Sequence, residues 1–367
     1  MLLKTAELKQ VLKYAKTCLP STSVLPMLSH IPILTHICFK DNKVFVFNGI
    51  ESIVIDYETG LNCAIPGKLF CDFIEAIMVE SLEIIQEETK VKIKVGRSIA
   101  KFEMIPTNKF IYSLPETLSE KQIDMDSDFI NGMKKCLISI NADNTKINQY
   151  GITLNDNCLY STDSKRISKY KLQKELKIDF KILIPRGFCE IFTKIINDTP
   201  CIMSFSDKYI SAEFKITLGE ETTDSVTSVK LKNIKLYTEV FADIAFLDYT
   251  QFNNMYIEDS DFYLNTDFRD TINKCNLFLS GLSEKVIEFN VTDTIEINAI
   301  GKLGNYNDNL DIKVIKNIGK FNAEIELLKQ LINNTTFIKF IKDDNRVIIL
   351  GKEGNYLHLL GSMYTHS

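Results

Sequence analysis

The feature that most limits how this chain can fold is an internal repeat. Three stretches share one pattern: an extended apolar lead-in, a helix-start signal, an amphipathic helix, then a strand. The first reads Ala64-Ile65-Pro66-Gly67-Lys68-Leu69-Phe70-Cys71-Asp72-Phe73-Ile74. The second reads Leu183-Ile184-Pro185-Arg186-Gly187-Phe188-Cys189-Glu190-Ile191-Phe192. The third reads Lys320-Phe321-Asn322-Ala323-Glu324-Ile325-Glu326-Leu327-Leu328. In the first two, a proline follows an isoleucine and opens the helix, where its fixed φ fits and its missing N–H costs little. After each helix comes an alternating or β-branched run, at 91–95, 209–214 and 346–350, which reads as a strand.

Three further helices are expected between these. Thr5 begins one with Leu8, Val11, Leu12 and Ala15 on one face. Asp126 begins another with Phe129, Ile130, Met133 and Leu137, and Asn265 a third with Phe268, Ile272 and Leu279. Thr, Asp and Asn are all good N-caps, because the side-chain oxygen can accept from an unpaired backbone N–H of the first turn. The 367 residues therefore read as six copies of one helix-plus-strands unit, paired into three domains at 1–117, 118–248 and 249–367. The stretches 114–117 and 248–251 read as connectors. Antiparallel strands with two helices per domain give an α+β fold. A solenoid is the competing reading of a repeat, but a unit of about 60 residues is longer than the common solenoid repeats.

Composition bounds the function without naming it. A net charge of −5 excludes a simple basic DNA-coating protein, yet leaves room for a locally basic face. The nine cysteines form no CxxC pair and mostly neighbour apolar residues, so they read as reduced, buried thiols of a cytoplasmic protein. Met1-Leu2-Leu3 runs at once into Lys4, Glu7 and Lys9, so no signal peptide is expected. No apolar run approaches the roughly 20 residues of a membrane span. There is neither a P-loop nor a GxSxG motif. Asp124-Met125-Asp126-Ser127-Asp128 imitates the start of a calcium loop but has Phe129 where glycine and Lys135 where glutamate are needed. The four histidines show no zinc spacing with cysteine. The expectation is a non-enzyme without metal or cofactor.

Five short stretches then resemble, in order, the bacterial DNA polymerase III beta subunit, the DNA sliding clamp. Leu25-Pro26-Met27-Leu28 is similar to that family's Leu-Pro-Ile-Leu, and Ile65-Pro66-Gly67-Lys68-Leu69-Phe70 to its Val-Pro-Ala-Arg-Lys-Phe. Gly96-Arg97-Ser98 with Phe102 and Pro106 resembles its Gly-Arg-Ser strand and the link after it. Thr162-Asp163-Ser164-Lys165-Arg166-Ile167 resembles Thr-Asp-Gly-His-Arg-Leu, and Ile184-Pro185-Arg186 resembles Val-Pro-Arg. The resemblance implies three tandem clamp domains closing as a head-to-tail homodimeric ring around duplex DNA. It implies as partners a DNA polymerase and, where one exists, a clamp-loader ATPase. A clamp-fold scaffold that does not encircle DNA, and an unrelated repetitive α+β enzyme, are the alternatives.

The residues that would carry this fall into three groups. For DNA, Lys9, Lys13 and Lys16 stand at i, i+4 and i+7 on the first helix, opposite its apolar face. Lys134 and Lys135 sit on the third helix and Arg269 and Lys274 on the fifth; a solvated helix face would look the same. The loop 141–149 corresponds to a family loop that touches DNA and supplies Lys146, Asn148 and Gln149, whereas Thr22 stands where some members carry an arginine. For a partner peptide, the resemblance implies a pocket of Thr162, Ser164, Lys165, Arg166, Ile167, Leu359 and Met363; the Ser164-Lys165 pair and the tail after Met363 depart from the family pattern. For the ring interface it implies Phe102 and Met104 of one subunit against Phe278 and Leu279 of the next. Ordinary core packing would also account for the apolar members of both groups.

Overall fold

The computed structural model describes residues 1–20, 27, 30–109, 121–176, 178, 180–196, 199–223, 226–241, 244–253, 262–312, 314, 316–343 and 346–362. Thr22, the 114–117 connector and Met363 fall outside them.

The six expected helices are present: α1 (Thr5–Lys16), α2 (Gly67–Ala76), α3 (Ser127–Cys136), α4 (Arg186–Ile195), α5 (Thr266–Phe278) and α6 (Ile325–Asn334). Two of the three expected caps form. Asp126 Oδ1 accepts from Phe129 N and Asn265 Oδ1 from Phe268 N, each at 2.9 Å. Thr5 does not cap α1. It is the first helical residue, its Oγ1 is buried without a partner among the described residues, and Lys4 precedes it in extended conformation. The reason is tertiary. The strand Leu2–Lys4 pairs with Ser81–Gln86, and Thr5 N is already bonded to Glu80 O at 2.9 Å. Pro66 and Pro185 likewise sit one position earlier than expected, as the last strand residue at the N-cap rather than inside the helix.

Contacts along the backbone divide the chain into two units, 1–130 with 184–242 and 131–183 with 243–367. The expected middle segment is thus shared between them. In the first unit, Leu2–Lys4, Ser81–Gln86, Lys90–Val95 and Ser98–Glu103 form a four-stranded antiparallel sheet in that order. A second sheet of nine strands carries Glu51–Asp56 paired to Val226–Glu239. The first unit packs α1 and α2 through Leu8, Leu12, Phe70 and Ile74, all buried. Phe70 is edge-on to both Phe39 and Phe102, at 5.7 and 5.5 Å between centroids.

The second unit repeats the plan. Asn305–Leu310, Ile295–Ile300, Val286–Val291 and Gly319–Glu324 make a four-stranded sheet. In its larger sheet, Arg166–Lys171 pairs with Tyr356–Gly361. Its core gathers Phe268 and Ile272 of α5, Leu328 and Leu331 of α6, and the stacked pair Phe289–Phe321. All nine cysteines are buried and unbridged. No helix among the described residues is long and apolar enough to cross a membrane.

Candidate functional site

The strongest site is built where Arg166–Lys171 meets Tyr356–Gly361 in the second unit. A tight turn leads into this seam. Asp163 Oδ1 accepts from Lys165 N and Arg166 N, both at 3.1 Å. Thr162 Oγ1 donates to Arg166 O at 2.7 Å. Ser164 takes φ +76°, the left-handed conformation such a turn demands, and one that suits glycine better. The Arg166 guanidinium is nearly buried; its Nε pairs with Asp163 Oδ2 at 2.9 Å and its Nη1 donates to Gln330 Oε1 of α6. Lys165 reaches Glu324 Oε2 at 2.8 Å, and that carboxylate raises the lysine's pKa.

Beyond the turn, Ile167 lies opposite Leu359, and Leu359 opposite Leu350. With Ile348 and Phe252 they make an apolar floor. The result is a groove of about 460 Å³. Six of the seven residues expected for a partner pocket line it: Thr162, Ser164, Lys165, Arg166, Ile167 and Leu359.

The sequence reading missed further lining residues. Leu247, Asp248, Tyr249, Phe252, Arg346 and Ile348 also line the groove. Within the stretch 248–251, expected as a connector, Asp248 and Tyr249 line the groove. Asp248 Oδ1 accepts from Thr250 N and Oγ1 at 2.9 and 2.8 Å, which lowers its own pKa. It thereby caps a single helical turn, Thr250–Asn253. Tyr249 is buried and stacks on Tyr160, 4.5 Å between centroids and 11° from parallel. The i, i+2, i+5 spacing of Leu247, Tyr249 and Phe252 around Asp248 was the available signal.

Beneath the floor the seam is held by polar groups. Ser168 Oγ lies 2.7 Å from Ser139 Oγ, 2.9 Å from Tyr356 Oη and 3.2 Å from His358 Nδ1. Burial, aided by the Arg166 charge, pushes the His358 pKa down to about 3, so the imidazole is neutral at physiological pH.

The expected DNA contacts divide into engaged and available groups. Lys9, Lys13 and Lys16 do share one groove, between α1 and α2, of about 490 Å³. However, Lys16 is bound by Asp72 and Glu75 of α2 at 2.9 and 3.0 Å, and those carboxylates raise its pKa. Lys9 donates to Ile77 O at 2.5 Å. Lys13 is exposed and has no partner among the described residues. Lys135 is turned inward, to Glu353 Oε2 at 2.5 Å and over the Tyr356 ring at 5.4 Å. Arg269 donates to Thr335 O at 3.1 Å. Lys134, Lys146 and Lys274 are exposed. Asn148 Nδ2 donates to Ala245 O at 3.3 Å, and Gln149 belongs to the groove lining.

The expected interface residues are placed unevenly. Phe102 and Leu279 are buried inside their own units, Met104 is half-buried, and Phe278 is 39% exposed, stacked on Tyr306. The exposed apolar surface is carried by neighbours the sequence did not flag: Leu277 (71%), Ile300 (71%) and Leu303 (fully exposed). Gly301 permits this corner, since a Cβ there would meet Phe278 O at 2.0 Å. Ser98–Glu103 and Asn305–Leu310, each the last strand of its four-stranded sheet, have one edge unpaired among the described residues.

No family model matches this sequence, and no curated protein does. Solved structures do match, over the whole length. The chain is similar to a DNA polymerase III beta subunit from Thermotoga maritima, at 15% identity and TM-score 0.79, covering 99% of each chain. It is similar to the DNA polymerase III subunit beta of Pseudomonas aeruginosa, at 13% identity and TM-score 0.78, covering 100% of each. It is also similar to the DNA polymerase sliding clamp of Bacillus subtilis, at 13% identity and TM-score 0.77, covering 100% of this chain and 99% of that one. The chain therefore has the fold of the DNA polymerase III beta subunit, the sliding clamp.

Proposed function

We propose that the chain is a DNA sliding clamp. Two copies close head-to-tail into a ring of six domains, three per chain at 1–117, 118–248 and 249–367. The ring encircles duplex DNA and holds a DNA polymerase, after placement by a clamp-loader ATPase where one exists, in the cytoplasm. It performs no catalysis: retention is topological, so modest contacts to the backbone suffice. The observation that carries this reading is the seam groove, because six of the residues that the resemblance implies for a partner-peptide pocket line it, on a fold shared with clamps end to end. An apolar floor with polar walls is the form of site that captures a short peptide by burying a few large side chains. The edge strands Ser98–Glu103 and Asn305–Leu310, with Leu277, Phe278, Ile300 and Leu303 exposed beside the latter, suit a heterologous interface that closes. Of the cations expected to meet phosphates, Lys13, Lys134, Lys146 and Lys274 are exposed.

Mass in solution tests the ring. A dimer of two 42.0 kDa chains is expected, and a strict monomer at micromolar concentration would sink the reading. Retention on closed circular DNA, lost when the circle is cut, tests encirclement. Equal retention on both would leave a scaffold that does not encircle DNA.

A further inference from the structure

The loop 141–149 and the groove share one side chain. The loop is a closed, braced segment. Asn141 N donates to Gln149 O at 3.0 Å, Asp143 N to Asn141 Oδ1 at 2.9 Å, and Thr145 N and Oγ1 to Asp143 Oδ1 at 3.0 and 2.7 Å. Its far end is tied to both walls of the groove. Gln149 Oε1 accepts from Asn141 Nδ2 and from Ser164 Oγ, each at 2.9 Å, and Ser164 belongs to the groove's turn. Asn148 Nδ2 donates to Ala245 O, two residues before the wall residue Leu247.

Gln149 thus has its oxygen committed twice to the protein, while its amide nitrogen has no partner among the described residues and the residue lines the groove. A primary amide carries two such donors. A peptide lying in the groove offers backbone carbonyls along its length. We infer that Gln149 is a positioning residue that couples the groove to the loop: donating to a bound peptide through Nε2, it holds Oε1 on Asn141 and Ser164 and stiffens 141–149, which carries Lys146. Hydrogen bonds in series polarise one another. Tightening the loop's existing hydrogen bonds at the first binding event spares the second that cost. Peptide and duplex then favour each other, and by linkage each raises the other's affinity by the same factor. The inference rests on the clamp reading for the identity of the two ligands.

The test uses the full chain, a short labelled peptide bearing an adjacent Leu-Phe pair, and a short duplex at low salt. Each ligand is first titrated alone. Peptide affinity is then measured with and without saturating duplex. The unmodified chain is expected to bind peptide about fivefold more tightly with duplex present. Gln149→Glu retains an oxygen for Asn141 and Ser164 but removes the donor, so the ratio should fall to one. Gln149→Ala should lose the ratio and also the brace. Hydrogen exchange at Thr145 and Lys146 separates the two variants. Peptide should slow it in the unmodified chain and not in Gln149→Glu, whereas Gln149→Ala should exchange fast throughout. If both ligands bind but independently, or the ratio persists in Gln149→Glu, the coupling is overturned and the clamp reading stands. If the unmodified chain fails to bind either ligand, both are overturned.

Discussion

The two units contain the same seam, built on different chemistry. In the first, Glu51 to Ile55 pairs with Thr238 to Ile234; in the second, Arg166 to Tyr170 pairs with Leu360 to Tyr356. The turns that lead in are equivalent down to the hydrogen bond. Asn48 Oδ1 accepts from Ile50 N and Glu51 N at 3.0 and 2.8 Å, as Asp163 Oδ1 does from Lys165 N and Arg166 N. Gly49 at φ +107° stands where Ser164 stands at +76°. The side chains then diverge. Asn48 Nδ2 donates to Glu51 Oε2 at 2.8 Å, whereas Asp163 receives the Arg166 guanidinium. On one face of the seam, Ser52, Tyr237 and Ser211 lie abreast in the first unit, and Ile167, Leu359 and Leu350 in the second. The backbone therefore does not make the groove. Three apolar side chains on a shared frame do, and the same frame with Ser, Tyr and Ser offers no equivalent floor.

The comparison can be broken most forcefully at the charged residue each seam buries. Arg166 is held by Asp163 and Gln330, and removing it leaves a carboxylate in a low-dielectric setting without its partner. Arg166→Met should cost about 3 kcal/mol in urea unfolding; a loss under about 1 kcal/mol would show the pair to be screened like a surface bridge. Next comes the floor itself. Ile167→Ser moves the second seam toward the first, and should weaken binding of a Leu-Phe peptide by roughly 30-fold, the scale of a central anchor. Unaltered affinity would mean that the walls, rather than the floor, hold the ligand.

The smallest effect sharpens the first seam. Glu51 is buried, with Gly187 of α4 so close that a Cβ there would meet Glu51 Oε1 at 2.1 Å. Burial raises the Glu51 pKa, against the lowering effect of the Asn48 hydrogen bond. Folding then favours the protonated carboxyl, so stability from this group is present in acid and is lost as pH rises through the raised pKa. Glu51→Gln should therefore gain about 1 kcal/mol at neutral pH, and the gain should vanish in acid. A gain that is the same at both pH values would assign it to something other than ionisation.

Much of the frame was readable beforehand. Six helices stand where apolar periodicity and capping residues put them, because both signals are local and act within one or two turns. Thr5 misled for the converse reason: a neighbouring strand supplied Glu80 O to its N–H, and no local rule contains that bond. The turn residues Thr162 to Ile167 were readable from their motif, whereas Arg346 and Ile348 came beside them only because Arg166–Lys171 pairs with the distant strand Tyr356–Gly361, the hairpin partner of Arg346–Glu353. The lysines show the same limit. Lys13 and Lys16 look alike on a helical wheel, but Asp72 and Glu75 on α2 neutralise only Lys16.

By itself, then, the sequence determined the repeat, the α+β class and the positions of the helices, since these follow from periodicity and capping chemistry within short windows. Tertiary structure alone decided which cations remain available, that Tyr249 lines the groove, and that one of two equivalent seams becomes a groove. Each of these depends on side chains distant in sequence being brought within a few ångströms, where ion pairing, stacking and loss of water act.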